Sequence, residues 1–357
     1  MEAGLIRSSV LAFADPSEGV LNLDVKTVPF GRLRWCLDRS LNDRLKRILE
    51  RCSAIHIHGL WQEHVGVVVK EAERTATPFS ISAHGMLDSW ALTQGRIKKA
   101  VYLRLVELPN LKRAKILRAL TLDEISDYRR IGLRNPVAFI PNGVDIAGPS
   151  DPHRFLQAFP HCREKSIVLF LGRLHPKKGL DLLVRSWKHV ASIHPEAHLI
   201  LAGPADLSLG LAWLTMLVKD QGVTNSVTFT GMLNRAMVSS ALAACRVFTL
   251  PSYSEGFSVA VLEALAAARP VILSDQCRFP EIEREGCGWV TKLNTSDLTD
   301  RLLAALSMSY PEIELLGANG RAMVDRKYSW EVISRQMSDL TEYMCGGPRP
   351  ISFSIDE

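Results

Sequence analysis

Two carboxylates stand eight residues apart in one short run, Glu255 and Glu263 of PSYSEGFSVAVLEALA (251–266). Beyond its opening turn the run is apolar apart from Glu263, and a buried acid is costly without partners. A spacing of eight returns to nearly the same face of an α-helix. Unpaired backbone N–H groups where such a helix starts, around Gly256, Phe257 and Ser258, suit a phosphate. A carboxylate beside a phosphate is unfavourable unless it serves another purpose. Glu255, at the entrance, suits sugar hydroxyls or developing positive charge. Glu263 suits both hydroxyls of a ribose. Together the two acids read as bracketing a nucleotide sugar.

A second constellation is cationic. In FLGRLHPKKGLDLL, Arg173 follows a strand ending at Gly172, then come Lys177 and Lys178, and Gly179 opens a helix. Cations on a tight loop at a helix N-terminus make an anion site. Arg grips phosphate bidentately, and Lys adds a point charge. A solvated basic turn has the same composition. No GxxxxGK[ST] run occurs, so this is not a P-loop.

These residues need strand ends to hold them. Val/Ile/Leu-rich strand patterns fall at 8–14, 54–59, 78–85, 116–121 and 137–143, then at 166–174, 197–204, 226–231, 245–252, 269–275 and 288–293. Amphipathic helical patterns alternate with them, including 41–52, 64–75, 179–195 and 212–222. This rhythm predicts parallel sheets covered on both faces, an α/β chain of two doubly wound, Rossmann-like halves facing a cleft. Ligands bind beyond the carboxyl ends of such strands. The rhythm restarts near 165 after a Pro-, His- and charge-rich stretch. The expected division is therefore 1–160, 161–328 and a closing helix over 329–345.

The 357 residues suffice for two cores, and 47% apolar with 23% charged content is that of a globular chain. No apolar run reaches the roughly 18 residues of a membrane span, and the N-terminus lacks the pattern of a secretory signal, so a cytoplasmic chain is expected. Seven cysteines without a CxxC pair read as reduced thiols. Residues 1–140 carry 22 Lys+Arg against 15 Asp+Glu, a net of +7, and the rest nets −2. The basic helical stretches 31–52 and 94–115 suit an anionic membrane surface or an ordinary solvated face. A nucleic-acid partner is not expected, because aromatic stacking positions and a binding motif are missing. His56 and His58 share one strand face but have no evident third metal ligand.

PSYSEGFSVAVLEALA is similar to the Glu-x7-Glu signature of glycosyltransferase family 4, retaining enzymes of the GT-B fold. GRLHPKKGLDLLVRSW resembles that family's Gly-Arg-Leu-x3-Lys-Gly element. FIPNGVD, LILAGP, VTFTGML and the closing YSWEVISRQMSDLTEYM follow in the family's order, and HIHGLW and SAHGMLDSWALTQGRIKKAVY resemble its bacterial exopolysaccharide members. The resemblance spans about 8–344.

It implies transfer of a sugar, with retention, from a nucleoside diphosphate to a glycan or lipid-linked glycan acceptor in cell-surface or extracellular polysaccharide synthesis. It implies no metal and no cofactor. Arg173 and Lys178 would hold the donor diphosphate and Glu263 the ribose. Glu255 would lie near the transferred sugar, and His84 would meet that sugar from the other half. Gly203, Ser254, Gly256, Phe257 and Ser258 would complete the donor site.

Two departures stand out. Residues 5–14 resemble the family's second strand, with no Gly-rich loop before them. That keeps open an alternative, a catalytically impaired nucleotide-sugar-binding protein or partner subunit. Arg269 stands where the family usually has Gly, at a cost of about 1 kcal/mol if a positive φ is needed there.

Overall fold

In a computed structural model, residues 10–14, 25–29, 46–93, 96–146, 151–205 and 210–357 are described. The chain divides into two compact units, residues 1–140 with 335–357, and residues 141–334.

The first unit holds β1 (Val10–Ala14) and β2 (Val25–Pro29), which pair in parallel with each other. Its main sheet has five strands in the order β13-β6-β5-β4-β3: β3 (Ile55–His58), β4 (Phe79–Ser82), β5 (Ile116–Ala119), β6 (Val137–Phe139) and β13 (Ser354–Asp356). The first four run parallel, and β13 joins β6 antiparallel. Every residue of β4 and β5 is buried, as strands covered on both faces require. Between the strands lie α1 (Glu63–Arg74), α2 (Ser89–Thr93), α3 (Arg96–Tyr102), α4 (Leu108–Arg113) and α5 (Leu122–Arg130), with a π turn at Leu103–Glu107. Ile57, Val65, Val69, Ile81, Leu111 and Tyr128 are among the buried residues of the core.

The second unit begins with α6 (His153–Ala158). Its sheet contains β7 (Ser166–Leu171), β8 (Ala197–Ala202), β9 (Val227–Gly231), β10 (Val247–Leu250), β11 (Val271–Ser274) and β12 (Gly288–Thr291). The helices are α7 (Leu180–Ile193), α8 (Gly210–Asp220), α9 (Arg235–Ala244), α10 (Val259–Ala266), the short α11 (Glu281–Arg284), α12 (Thr295–Ser307) and α13 (Tyr310–Tyr328). All six strands are parallel, in the order β12-β11-β10-β7-β8-β9. The chain winds outward from β7 through β9, returns to β7's other side at β10, and winds outward again. The order reverses between β7 and β10, and that switch point is where doubly wound sheets open a crevice beyond their carboxyl ends.

Every strand expected from 54 to 293 is present. Strands β2 and β13 were not foreseen, and residues 5–9 of the stretch that resembles the family's second strand lie outside the described residues. The division between units differs from the expected 160/161 and lies at Ile140/Pro141. The Pro-, His- and charge-rich stretch before 165 packs, over its described residues, as part of the second unit. Phe155 is fully buried in that core, its N–H donates to Ser240 Oγ at 2.8 Å, and Ser240 Oγ donates to the Asp151 carbonyl at 2.6 Å. The last helix, α14 (Trp330–Met344), belongs to the second unit through Ser334 and to the first from Arg335.

Candidate functional site

Nine of the ten residues singled out in the sequence lie in the second unit, on loops that follow β7, β8 and β10 or on α10 itself. After β7 the chain turns through a short 3-10 segment, Pro176–Lys178, whose His175 side chain accepts from Lys177 N–H. Gly179 follows with φ +65°, and a Cβ there would collide with the Pro251 carbonyl oxygen. Only glycine lets this loop lie so close against the loop after β10. Gly203, after β8, has φ +140°, and its Cβ would strike the Gly172 carbonyl. The strand ends are thus drawn tightly together around the switch point.

Across that point Lys178 Nζ donates to Glu255 Oε1 at 2.6 Å, and Ser252 Oγ donates to the same oxygen at 2.6 Å. The Glu255 side chain is 9% exposed and that of Lys178 22%. Both bonds fall on Oε1, and Oε2 has no hydrogen-bond partner among the described residues. The two loops are tied twice more. Tyr253 N–H donates to the Lys177 carbonyl at 2.8 Å, and Tyr253 OH donates to Asp181 Oδ2 at 2.8 Å. Burial first, then the Asp181 carboxylate, push the Tyr253 phenol up to about 12. Ser254 is buried, and Arg173 is exposed.

The helix that the opening motif predicts is α10. Ser258 is its N-cap, with extended backbone and no side-chain capping bond, so the first-turn N–H groups have no side-chain cap. Gly256 is half-buried. Phe257 turns its ring toward Phe279 and Tyr328, with centroids 6.4 and 6.1 Å away. Glu263 is half-buried, and burial raises its carboxyl above the usual range, an effect that Arg235 opposes. Arg235, at the start of α9, pairs with Asp145. The strain expected at Arg269 does not arise there, because the positive φ, 54°, falls one residue earlier on Ala268.

His84 follows β4 in the first unit. Its φ is +53°, uncommon for a side chain of this size. His58 Nδ1 and His84 Nε2 share a hydrogen bond of 2.9 Å. Burial, then His58 and Arg118, press the His84 imidazole down to about 4, and His58 is lowered by burial and Arg118. Both are neutral near pH 7. His56, also pressed to about 4, bonds Ser80 Oγ at 2.7 Å and Thr341 Oγ1 at 2.9 Å, so both its ring nitrogens are engaged.

Sequence reasoning missed Ser252, Tyr253, Asp181, Arg235 and Glu124. Glu124 is buried, and its two oxygens accept from Gly85 N–H and Leu120 N–H, each at 2.7 Å. It thereby fixes the turn that carries His84. A Thr-x-x-Glu pattern (Thr121 to Glu124) signals the helix start, and Thr121 does cap α5. The glutamate's long reach to Gly85 leaves no trace in sequence.

Two sequence families match this chain. Residues 11–143 match the family described as "Glycosyl transferase 4-like domain", and residues 165–308 match "Glycosyl transferases group 1". Among curated relatives, a GDP-mannose-dependent monoacylated alpha-(1-6)-phosphatidylinositol monomannoside mannosyltransferase of Corynebacterium glutamicum is 27% identical over 215 residues, 57% of this chain and 55% of that protein. A phosphatidyl-myo-inositol mannosyltransferase of Mycobacterium tuberculosis is 30% identical over 215 residues, covering 58% and 54%. The alignments thus span about half the length of these relatives. Among solved structures, Anabaena HepE in complex with UDP and glucose has a TM-score of 0.75 at 19% identity, over 90% of this chain and 86% of that one. That likeness establishes a shared fold.

Proposed function

Because the chain belongs to the glycosyltransferases, pairing a family 4-like first half with a group 1 second half, we propose that it moves a sugar from a nucleoside-diphosphate sugar to a glycan or lipid-linked glycan acceptor, with retention at the anomeric carbon. The observation that carries this reading is the Lys178–Glu255–Ser252 cluster at the β7/β10 switch point. In it a cation and a carboxylate with one oxygen unengaged stand beside a helix N-terminus.

Lys178 and Arg173 neutralise the donor diphosphate, and the N–H groups at the start of α10 add their dipoles. Glu263, costly to ionise in its half-buried setting, is stabilised when two ribose hydroxyls donate to it. Glu255 Oε2 faces the sugar's hydroxyls. The bond from the anomeric carbon to the diphosphate oxygen breaks, and its electron pair stays on the phosphate. The acceptor oxygen attacks the same face, and its proton passes to the departing phosphate. Neutral His84 donates to or accepts from a sugar hydroxyl without adding charge. The residues named supply the neutralising charge, so the proposed reaction uses neither metal nor cofactor.

The printed names of the relatives support this class of chemistry, since they describe mannosyl transfer to phosphoinositides, and HepE was solved with UDP. For this chain, synthesis of a cell-surface or extracellular polysaccharide is the proposed context. A peripheral contact with an anionic membrane belongs to the same reading. Ile97, Val101 and Leu105 are 80%, 53% and 70% exposed at helical spacing, with Lys98 and Arg104 exposed beside them. No described helix is long and apolar enough to cross a membrane.

The test is calorimetric titration of UDP, GDP and a panel of their sugars, followed by product analysis with the sugars that bind. Binding that Glu263→Ala loses, with turnover or slow donor hydrolysis, supports the proposal. A folded chain that binds neither nucleotide refutes it.

A further inference from the structure

The second unit carries another cluster of reactive side chains, at the end of its sheet opposite the switch point. His161 and Cys162 lie in the 3-10 turn that leads into β7, and His198 is the second residue of β8. One ligand atom from each, two imidazole nitrogens and a thiol sulfur, lie within 4.8 Å of one another. Cys162 and His198 are 1% and 4% exposed, whereas His161 is at the surface. We propose that His161, Cys162 and His198 form a binding site for one zinc-class divalent cation, separate from the proposed transferase site.

Two observations support it. First, the donor set is that of zinc, two imidazoles and a sulfur, leaving a fourth position for water or a hydroxyl. Second, Thr228 Oγ1 sits between the rings, 2.8 Å from His161 Nε2 and 2.9 Å from His198 Nε2. The two nitrogens therefore converge on one point. The hydroxyl has a single proton, so without metal one ring must accept from it and the other donate to it.

A tetrahedral ion with ligand bonds of about 2.0–2.3 Å holds its ligands roughly 3.5 Å apart, so the cluster must contract by about 1 Å. His161, at the surface, supplies that movement by exchanging its bond to Thr228 Oγ1 for the ion. Binding displaces the Cys162 thiol proton to solvent and leaves a thiolate on the ion. The bound ion would tie the segment entering β7 to β8 and strengthen the amino-terminal end of the sheet.

Co(II) is the probe of choice, titrated into the full chain after chelator treatment. The expected result is one equivalent bound, with tetrahedral d–d absorption and a thiolate-to-cobalt charge-transfer band, and displacement by zinc. Cys162→Ser abolishes the charge-transfer band. His161→Gln, a surface change that leaves the core intact, weakens binding at least tenfold. Zinc raises the thermal midpoint of the parent chain and not of Cys162→Ser. Absence of stoichiometric binding overturns the proposal. So does a charge-transfer band that survives in Cys162→Ser, which would point to the exposed Cys345 or another thiol, or an affinity unchanged in His161→Gln.

Discussion

Each unit places its distinctive side chains just beyond the carboxyl ends of parallel strands, but the two use opposite physics there. In the second unit the left-handed turn falls on Gly179, and the loops meet through charge, Lys178 against Glu255. In the first unit the left-handed turn falls on His84 itself, and the groups that meet are neutral imidazoles, His58 and His84. Glycine serves where two backbones must touch. A strained histidine serves where a side chain is needed at the bend, and Glu124 holds that bend by taking the Gly85 N–H.

Substitutions test this contrast. The largest effect is expected from Lys178→Ala, which removes the point charge proposed to hold the diphosphate and leaves buried Glu255 with only the Ser252 hydroxyl. Donor kcat/KM should fall at least a hundredfold, and steady-state kinetics with the preferred donor checks it. A fall of less than tenfold would mean that charge is not the second unit's device. Next is Gly179→Ala. It adds about 1–2 kcal/mol of left-handed strain and a collision with Pro251, so donor affinity measured by calorimetry and the thermal midpoint should drop together.

The first unit responds to pH instead. The folded-state values of His56 and His84 lie near 4, below the ordinary 6.5. The unfolded chain therefore binds protons more readily, and folding stability is lost as pH falls from about 6.5 towards 4. A thermal-midpoint series over that range should slope downward, and His84→Gln should flatten the slope. An unchanged slope would remove His84 from the cause. The smallest effect is expected from Tyr253→Phe, which deletes one bond to Asp181 worth about 1 kcal/mol. Donor KM should rise a few-fold while kcat holds, because the loops stay tied by Lys178–Glu255.

Much of this was legible in sequence for physical reasons. Strands covered on both faces must be nearly all apolar, as β8 and β10 are apart from His198 and Thr249, and so they announce themselves. Lys178, Glu255 and Glu263 were visible because charge beside an apolar run demands a purpose. What escaped notice depends on the third dimension. Nothing in the order of residues shows that Tyr253 reaches Asp181, 72 positions away, or that Glu124 turns from its own helix start to Gly85. Strand β13 is three residues long with mixed exposure, too short for a periodic signal. Phe155 was passed over because it lies in a stretch rich in Pro, His and charge, although its ring is fully buried.

The reversal of strand order also has a consequence for biogenesis. When β7, β8 and β9 have left the ribosome, one side of β7 still lacks its neighbour, because β10 is encoded some 75 residues after β7 ends. Until β10 arrives, an apolar strand edge stays open to pairing with another chain, a recognised route to aggregation. The Lys178 loop is made early but meets Glu255 only when that edge closes. The nascent chain therefore passes through its most vulnerable interval before the Lys178–Glu255 pair can form.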